Sequence, residues 1–266
     1  MAGRLAQAGL DVVGVERDLV GGECPYWGCV PSKMMLRAAH LLAEARRVRG
    51  MAGDSEVRPE WDSVAKRIRE EATDSWDDQV AVERFQAKGG RLLGGEGRIL
   101  GPGAVAVGEH TSTPGEAWWI ATGTTPAVPP VPGLDQVPYW TNREAVEAEE
   151  LRSSLVVLVG GAVGVELAQV FARFGVDVTV VETLDRLVPG DEPEVGPILA
   201  EVLAGEGVDM GVGVKVSEVH REGARVAVAL EDGTTAAAAQ LLVATGRRAD
   251  LATIGVGAIS VDESQR

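Results

Sequence analysis

Residues 5–16 read LAQAGLDVVGVE and residues 171–182 read FARFGVDVTVVE. Ala6, Gly9, Asp11, Val12, Val15 and Glu16 recur as Ala172, Gly175, Asp177, Val178, Val181 and Glu182, at a constant offset of 166. Each copy spells a helix end, a glycine stop and a short apolar strand ending in a carboxylate. A chain that writes this sentence twice folds as two copies of one supersecondary unit.

The second copy identifies the unit, because the residues before it are present. Residues 155–159 (LVVLV) form an apolar β-type run, Gly160, Gly161 and Gly164 follow, and residues 165–174 have helical spacing. Strand, glycine turn, helix, strand and acid make the βαβ dinucleotide-binding unit. Its glycines let the backbone approach a pyrophosphate, and the helix N-terminus offers free N–H groups and a positive dipole end. Its terminal carboxylate accepts hydrogen bonds from a ribose. Subtracting 166 places the partners of Gly160 and Gly164 at −6 and −2. The first unit is therefore expected to lack its first strand and phosphate loop here. A second repeat agrees: residues 118–123 (WWIATG) resemble 241–246 (LLVATG), each read as a strand running into Ala-Thr-Gly.

The predicted fold is α/β, with two nucleotide-binding halves in tandem and the first incomplete. The expected divisions are a partial first domain over 1–135 with the cysteine helix, a second domain over 136–250, and a return toward the first over 251–266. Proline and glycine concentrate at the first junction, near residues 132–141. The net charge of −15 argues against nucleic acid and anionic membrane surfaces as partners, since no basic patch exists to neutralise phosphates. No apolar run reaches membrane-span length, and the N-terminus carries no secretory pattern, so a cytoplasmic location is expected.

The two cysteines, Cys24 and Cys29, fall in GGECPYWGCVPSK, followed by a helical pattern over 34–48. In a regular helix, residues five apart point about 140° apart. Bridging them needs an irregular start, for which Pro25, Gly28 and Pro31 are suited. A helix N-terminus favours a thiolate. On spacing alone, an inert pair of buried thiols stays open beside a redox pair. A zinc site does not, because two cysteines without a nearby histidine cannot complete a tetrahedral sphere.

The segment GGECPYWGCVPSK resembles the redox signature of the class I pyridine nucleotide–disulfide oxidoreductases, a family that includes dihydrolipoyl dehydrogenase, glutathione reductase and mercuric reductase. The resemblance extends to the strand ending at Glu16, both Ala-Thr-Gly segments, Pro132-Gly133 and the second nucleotide unit. It implies FAD and NAD(P)H as cofactors, with electrons passing from the nicotinamide through the flavin to a Cys24–Cys29 disulfide. Cys29 would face the flavin and Cys24 would exchange with the acceptor through a mixed disulfide. Glu16, Lys33, Gly97, Thr122 and Gly123 match FAD-site positions. Gly160, Gly161, Gly164, Glu182, Val216 and Gly246 match NAD-site positions. A carboxylate at Glu182 favours NAD over NADP, as it repels a 2′-phosphate. The acceptor implied is a small disulfide, a lipoyl group or a metal ion, and no structural metal is expected. The family is homodimeric through a later interface domain, which is expected to be absent here. A non-catalytic NAD-binding module with a degenerate FAD half is the competing reading.

Departures from the family pattern carry their own expectations. Val159 stands where the first glycine of the phosphate loop belongs, and a β-branched residue fits such a turn poorly. His40, His110 and His220 sit in no acid/base motif. His40 lies eleven residues beyond Cys29, about 16 Å along a helix. Tyr26 and Trp27 either line a substrate channel or pack on the cysteine helix. Residues 61–85 read as a helical stretch whose Trp61 and Trp76 pack on the first domain.

Overall fold

The computed structural model describes residues 1–113, 115 and 117–263. The chain opens with a helix, Ala2–Gln7 (α1), which ends before Gly9 turns at φ 89° into strand Val13–Glu16 (β1). A four-residue helix, Glu23–Tyr26 (α2), is followed by a break at Trp27 and Gly28 and then the long helix Cys29–Arg47 (α3). Gly28 caps α3 at φ −123°, ψ −115°, outside the helical region. Pro31 falls in the first turn, where its missing N–H costs no helical hydrogen bond. Helix Trp61–Arg67 (α4) continues into a π-helical turn, Ile68–Ala72, and stops where Asp74, Ser75 and Trp76 take positive φ.

Helix Gln79–Gln86 (α5) leads to strand Arg91–Gly94 (β2) and to Gly97–Gly101 (β3), Ala104–Val107 (β4) and His110–Ser112 (β5). The short strand Thr125–Pro126 (β6) precedes helix Asn142–Glu147 (α6), strand Ser154–Leu158 (β7), helix Ala162–Arg173 (α7) and strand Asp177–Glu182 (β8). Helix Val195–Gly205 (α8) and strand Asp209–Val212 (β9) follow. Strands Val216–Glu222 (β10), Arg225–Leu230 (β11), Thr235–Ala238 (β12), Gln240–Val243 (β13) and Arg247–Arg248 (β14) complete the order.

Contacts divide the chain into two compact units, one of 1–26, 73–125 and 247–266, the other of 27–72 and 126–246. In the second unit, a parallel sheet runs β13-β7-β8-β9. Its inner strand β7 is almost wholly buried, as both faces of a parallel sheet are covered. One face meets the antiparallel β10-β11-β12 sheet: Val156, Leu158, Val181, Leu241 and Val243 pack with Val219, Val226, Val228 and Leu230. Helix α7 buries Leu167, Ala168, Val170 and Phe171. Trp61 stacks on this helix, 5.6 Å from Phe171 and 5.1 Å from Phe174 between ring centroids, and its indole N–H donates to Ala148 O at 2.7 Å. This corrects the expectation that Trp61 packs on the first domain. Three aromatic rings gain more buried area together than Trp61 would find on a two-stranded sheet.

The first unit repeats the outer half of that design. Strands β1 and β2 pair in parallel with Val13 opposite Arg91, as β8 and β9 pair with Thr179 opposite Asp209. Val13 and Thr179 are equivalent under the offset of 166, so the repeat extends to strand register. The expected strand at 118–122 does not form: these residues have no regular structure, and Trp119 is 69% exposed. The second copy supplies the physical reason. Residues 241–243 are a strand because β7 pairs with them, and the first unit holds no counterpart of β7 among the described residues. An extended segment without a hydrogen-bonding neighbour loses the ladder that makes it a strand. Trp118 instead packs on a small core of Ile99, Ile254 and Val256.

Candidate dinucleotide and disulfide sites

The dinucleotide loop is built where β7 hands over to α7. Val159 takes φ 80°, the conformation that the first loop glycine would adopt without strain. A Cβ on Gly160 would run into Leu187, and one on Gly164 into the carbonyl of Val159. Both positions therefore require glycine in this backbone. Gly161 caps α7 with no side-chain hydrogen bond. The first-turn N–H groups of this twelve-residue helix are thus not claimed by a capping side chain and suit a pyrophosphate.

Glu182 is only 2% exposed at the end of β8. Its Oε2 accepts the Gly160 N–H at 2.8 Å and its Oε1 accepts the Leu184 N–H at 2.7 Å. The carboxylate therefore fastens the glycine loop to the strand that follows it, a role the sequence did not reveal. Arg186 donates from Nη2 to the Pro189 and Asp191 carbonyls, at 2.8 and 3.1 Å. Val216 packs against the core between the sheets, and Gly246 takes φ 108° just after β13.

In the first unit, Glu16 keeps half of this pattern. Its Oε1 accepts the Asp18 N–H at 3.0 Å, the counterpart of the Leu184 bond. Gly97 lies against β1, where a Cβ would come within 3.0 Å of Val15. Thr122 and Gly123 are exposed, with Gly123 at φ 67° matching the left-handed Gly246. The glycine turn that leads into β1, at Gly9, follows helix α1. The second-unit loop could hold a dinucleotide pyrophosphate, and Glu16, Gly97, Thr122 and Gly123 of the first unit could meet a flavin nucleotide.

Cys24 and Cys29 are disulfide-bonded, and neither is free. Both residues are exposed. Cys24 sits in α2 and Cys29 is the first residue of α3, so the broken helix start brings together side chains that a continuous helix would splay. Tyr26 and Trp27 are buried at 5% and 7% exposure. The Tyr26 hydroxyl donates to Val20 O at 3.3 Å; burial raises its pKa, and Asp78, Asp77 and Asp74 raise it further. Trp27 is clamped by α6. Its indole N–H donates to Glu147 at 2.5 Å, the Arg143 guanidinium lies 3.9 Å from the ring centroid, and Asn142 donates to its carbonyl at 3.1 Å.

A Thr141–Glu144 capping box starts α6, with Arg143 N–H donating to Thr141 Oγ1 and Glu144 accepting from the Thr141 N–H and hydroxyl. Burial pushes the Glu144 carboxyl up, but the Thr141 hydrogen bonds and nearby Arg143 outweigh it and hold the group below its ordinary value. On α3, Lys33 pairs with both carboxylate oxygens of Glu166 on α7 at 2.8 Å. No spacing in the sequence links residues 33 and 166, so Glu166 was missed. His40, His110 and His220 are all exposed. Among the described residues there is no acidic, histidine or cysteine cluster able to hold a metal ion, and no helix long and apolar enough to cross a membrane.

A family model described as pyridine nucleotide-disulphide oxidoreductase matches residues 1–266. A dihydrolipoyl dehydrogenase of Haloferax volcanii is 33% identical over 99% of this chain and 59% of its own length. A mercuric reductase of Acidithiobacillus ferrooxidans is 32% identical over 99% of this chain and 51% of its own. The HOCl-induced flavoprotein disulfide reductase RclA of Escherichia coli shares the fold, with a TM-score of 0.85 at 24% identity over 98% of this chain and 57% of that one. The chain spans about half the length of the curated relatives it matches.

Proposed function

The chain belongs to the pyridine nucleotide-disulphide oxidoreductase family, and from that premise we propose that it carries the nucleotide-binding and disulfide portion of a flavin-dependent NADH:disulfide oxidoreductase of the cytoplasm. The observation that carries this reading is the exposed Cys24–Cys29 disulfide at the head of α3, whose Lys33 is tied to Glu166 on the dinucleotide helix. NADH and a proton reduce the disulfide to two thiols and leave NAD+. FAD, when bound, supplies the two-electron link between them. Glu16, Lys33, Gly97, Thr122 and Gly123 are its proposed contacts.

The chain's own groups do the rest. The Gly160, Gly161 and Gly164 loop and the α7 N-terminus hold the pyrophosphate, with Val216 and Gly246 lining the site. Glu182 holds the loop, and its charge together with Asp185 disfavours a 2′-phosphate, so NADH is preferred over NADPH. Arg186 donates to carbonyls of its own loop and only partly offsets that preference. Cys24 then exchanges with an acceptor that is a small disulfide, a lipoyl group or a metal ion.

The competing reading, a NAD-binding module without flavin chemistry, draws support from the exposed, irregular segment 118–122 in the first unit. Anaerobic addition of NADH to the FAD-supplemented chain separates the two. Two new thiols per chain, lost in Cys24→Ser, are expected. No thiol release on NADH, in protein whose disulfide dithiothreitol does reduce, would sink the enzyme reading.

A further inference from the structure

Arg247 follows the second Ala-Thr-Gly segment and has no part in the scheme above. Its Nε donates to the Thr124 hydroxyl at 2.8 Å and its Nη2 to the Thr124 carbonyl at 2.6 Å. Its Nη1 reaches Glu23 Oε1 at 3.0 Å. Glu23 is the residue immediately before Cys24. With side-chain exposures of 29% and 25%, this is the most protected ion pair described after Arg173–Glu206. At that depth solvent screens the charges less than on an open surface.

The rest of this neighbourhood is acidic. Asp74, Asp77 and Asp78 act on Tyr26, two residues beyond Cys24, and Asp78 also accepts the Val20 N–H at 2.7 Å. A thiolate formed at Cys24 among Glu23 and these aspartates is disfavoured by like charge. The guanidinium of Arg247 is delivered to this place by two bonds to Thr124.

We propose that Arg247 is a positioning residue for Cys24, holding a positive charge beside it so that the reduced thiol reacts as a thiolate at neutral pH. The inference rests on the reading of Cys24 as the exchanging thiol. In that exchange the Cys24 thiolate attacks one sulfur of an acceptor disulfide, forming a mixed disulfide and expelling one thiolate. The Cys29 thiolate then attacks Cys24 sulfur, restoring the internal disulfide and expelling the second thiolate. Two electrons leave the pair and two arrive on the acceptor.

The test needs neither flavin nor NADH. The full chain is reduced with dithiothreitol, freed of reductant and alkylated with iodoacetamide across pH, with Cys24 and Cys29 followed separately by peptide mass. Arg247→Met deletes a positive charge, and Cys24 alkylation at pH 7 should slow by roughly threefold to tenfold, the effect of a thiol pKa raised by about half a unit to one unit. Glu23→Gln deletes a negative charge, and Cys24 should speed up by a similar factor, with its pH profile moved down. The double variant should return to within about twofold of the parent, and Arg247→Lys should stay closer to it than Arg247→Met. If both single variants slow Cys24, or neither moves its pH profile, the proposal is overturned. Should Arg247→Met fail to fold by circular dichroism, Glu23→Gln alone decides by its sign. Failure of the wider enzyme reading would register separately, as absent NADH-driven thiol release.

Discussion

Glu182→Gln tests whether this carboxylate fastens the glycine loop or waits only for a ribose. Both carboxylate oxygens are occupied, by the Gly160 and Leu184 N–H groups at 2.8 and 2.7 Å. Glutamine keeps one oxygen and places an NH2 donor against the other N–H. Losing one charge-assisted bond costs about 1.5–3 kcal/mol, and the facing donors cannot repair it. The second bond survives but weakens, because its acceptor is now neutral. A loss of about 2–3 kcal/mol follows, which lowers a melting temperature by roughly 5–10 °C for a body of this size. Thermal unfolding of the cofactor-free chain, followed by far-ultraviolet circular dichroism, is the assay. NAD+ affinity by calorimetry should fall as well, since the loop that meets the pyrophosphate is no longer held. A melting temperature within about 2 °C of the parent, with NAD+ affinity alone reduced, would refute the loop-fastening argument and leave only ribose recognition.

Gly164→Ala should abolish NAD+ binding measured by calorimetry, since its Cβ would meet the Val159 carbonyl and force α7 away from β7. Val159→Gly should tighten NAD+ binding at little net change in stability, because relieving a strained φ of 80° gains about 1–3 kcal/mol while glycine's chain entropy and the lost side-chain contacts offset it. Glu144 has a lowered folded-state pKa, so its contribution to holding α6 is complete above the unfolded carboxylate pKa and is lost as pH falls through the folded value. In Thr141→Ala the acid-side decline in melting temperature should become shallower, because Glu144 loses the bonds that lower its folded pKa, and neutral stability should fall by about 1 kcal/mol.

The nucleotide unit was legible because its signals are local. Three glycines, an apolar run and a terminal acid sit within one supersecondary unit, where close approach restricts Gly160 and Gly164 and burial the run and the acid. The offset of 166 was legible for the same reason, and the shared register of β1-β2 and β8-β9 carries it into three dimensions. The segment 118–122 failed because a strand is a property of its neighbour as much as of its own residues. WWIATG and LLVATG look alike, yet only the second has β7 beside it. Trp61 failed because helical periodicity says which face is buried and not against what. The Lys33–Glu166, Trp27–Glu147 and Arg247–Glu23 pairs join residues more than a hundred positions apart, and no pattern in one sequence marks such partners. Glu182 was placed correctly at the strand end, but its inward hydrogen bonds follow from the loop's return, which only the folded backbone defines.

Flavin content tests the central claim most directly. The 266-residue chain is incubated with FAD, freed of excess, denatured, and the released flavin read by absorbance per chain. The account of Cys24–Cys29 as a flavin-fed redox pair predicts close to one flavin per chain. Protein that folds and binds NAD+ but releases no flavin would contradict it, leaving the disulfide without its electron source and the chain as a nucleotide-binding module.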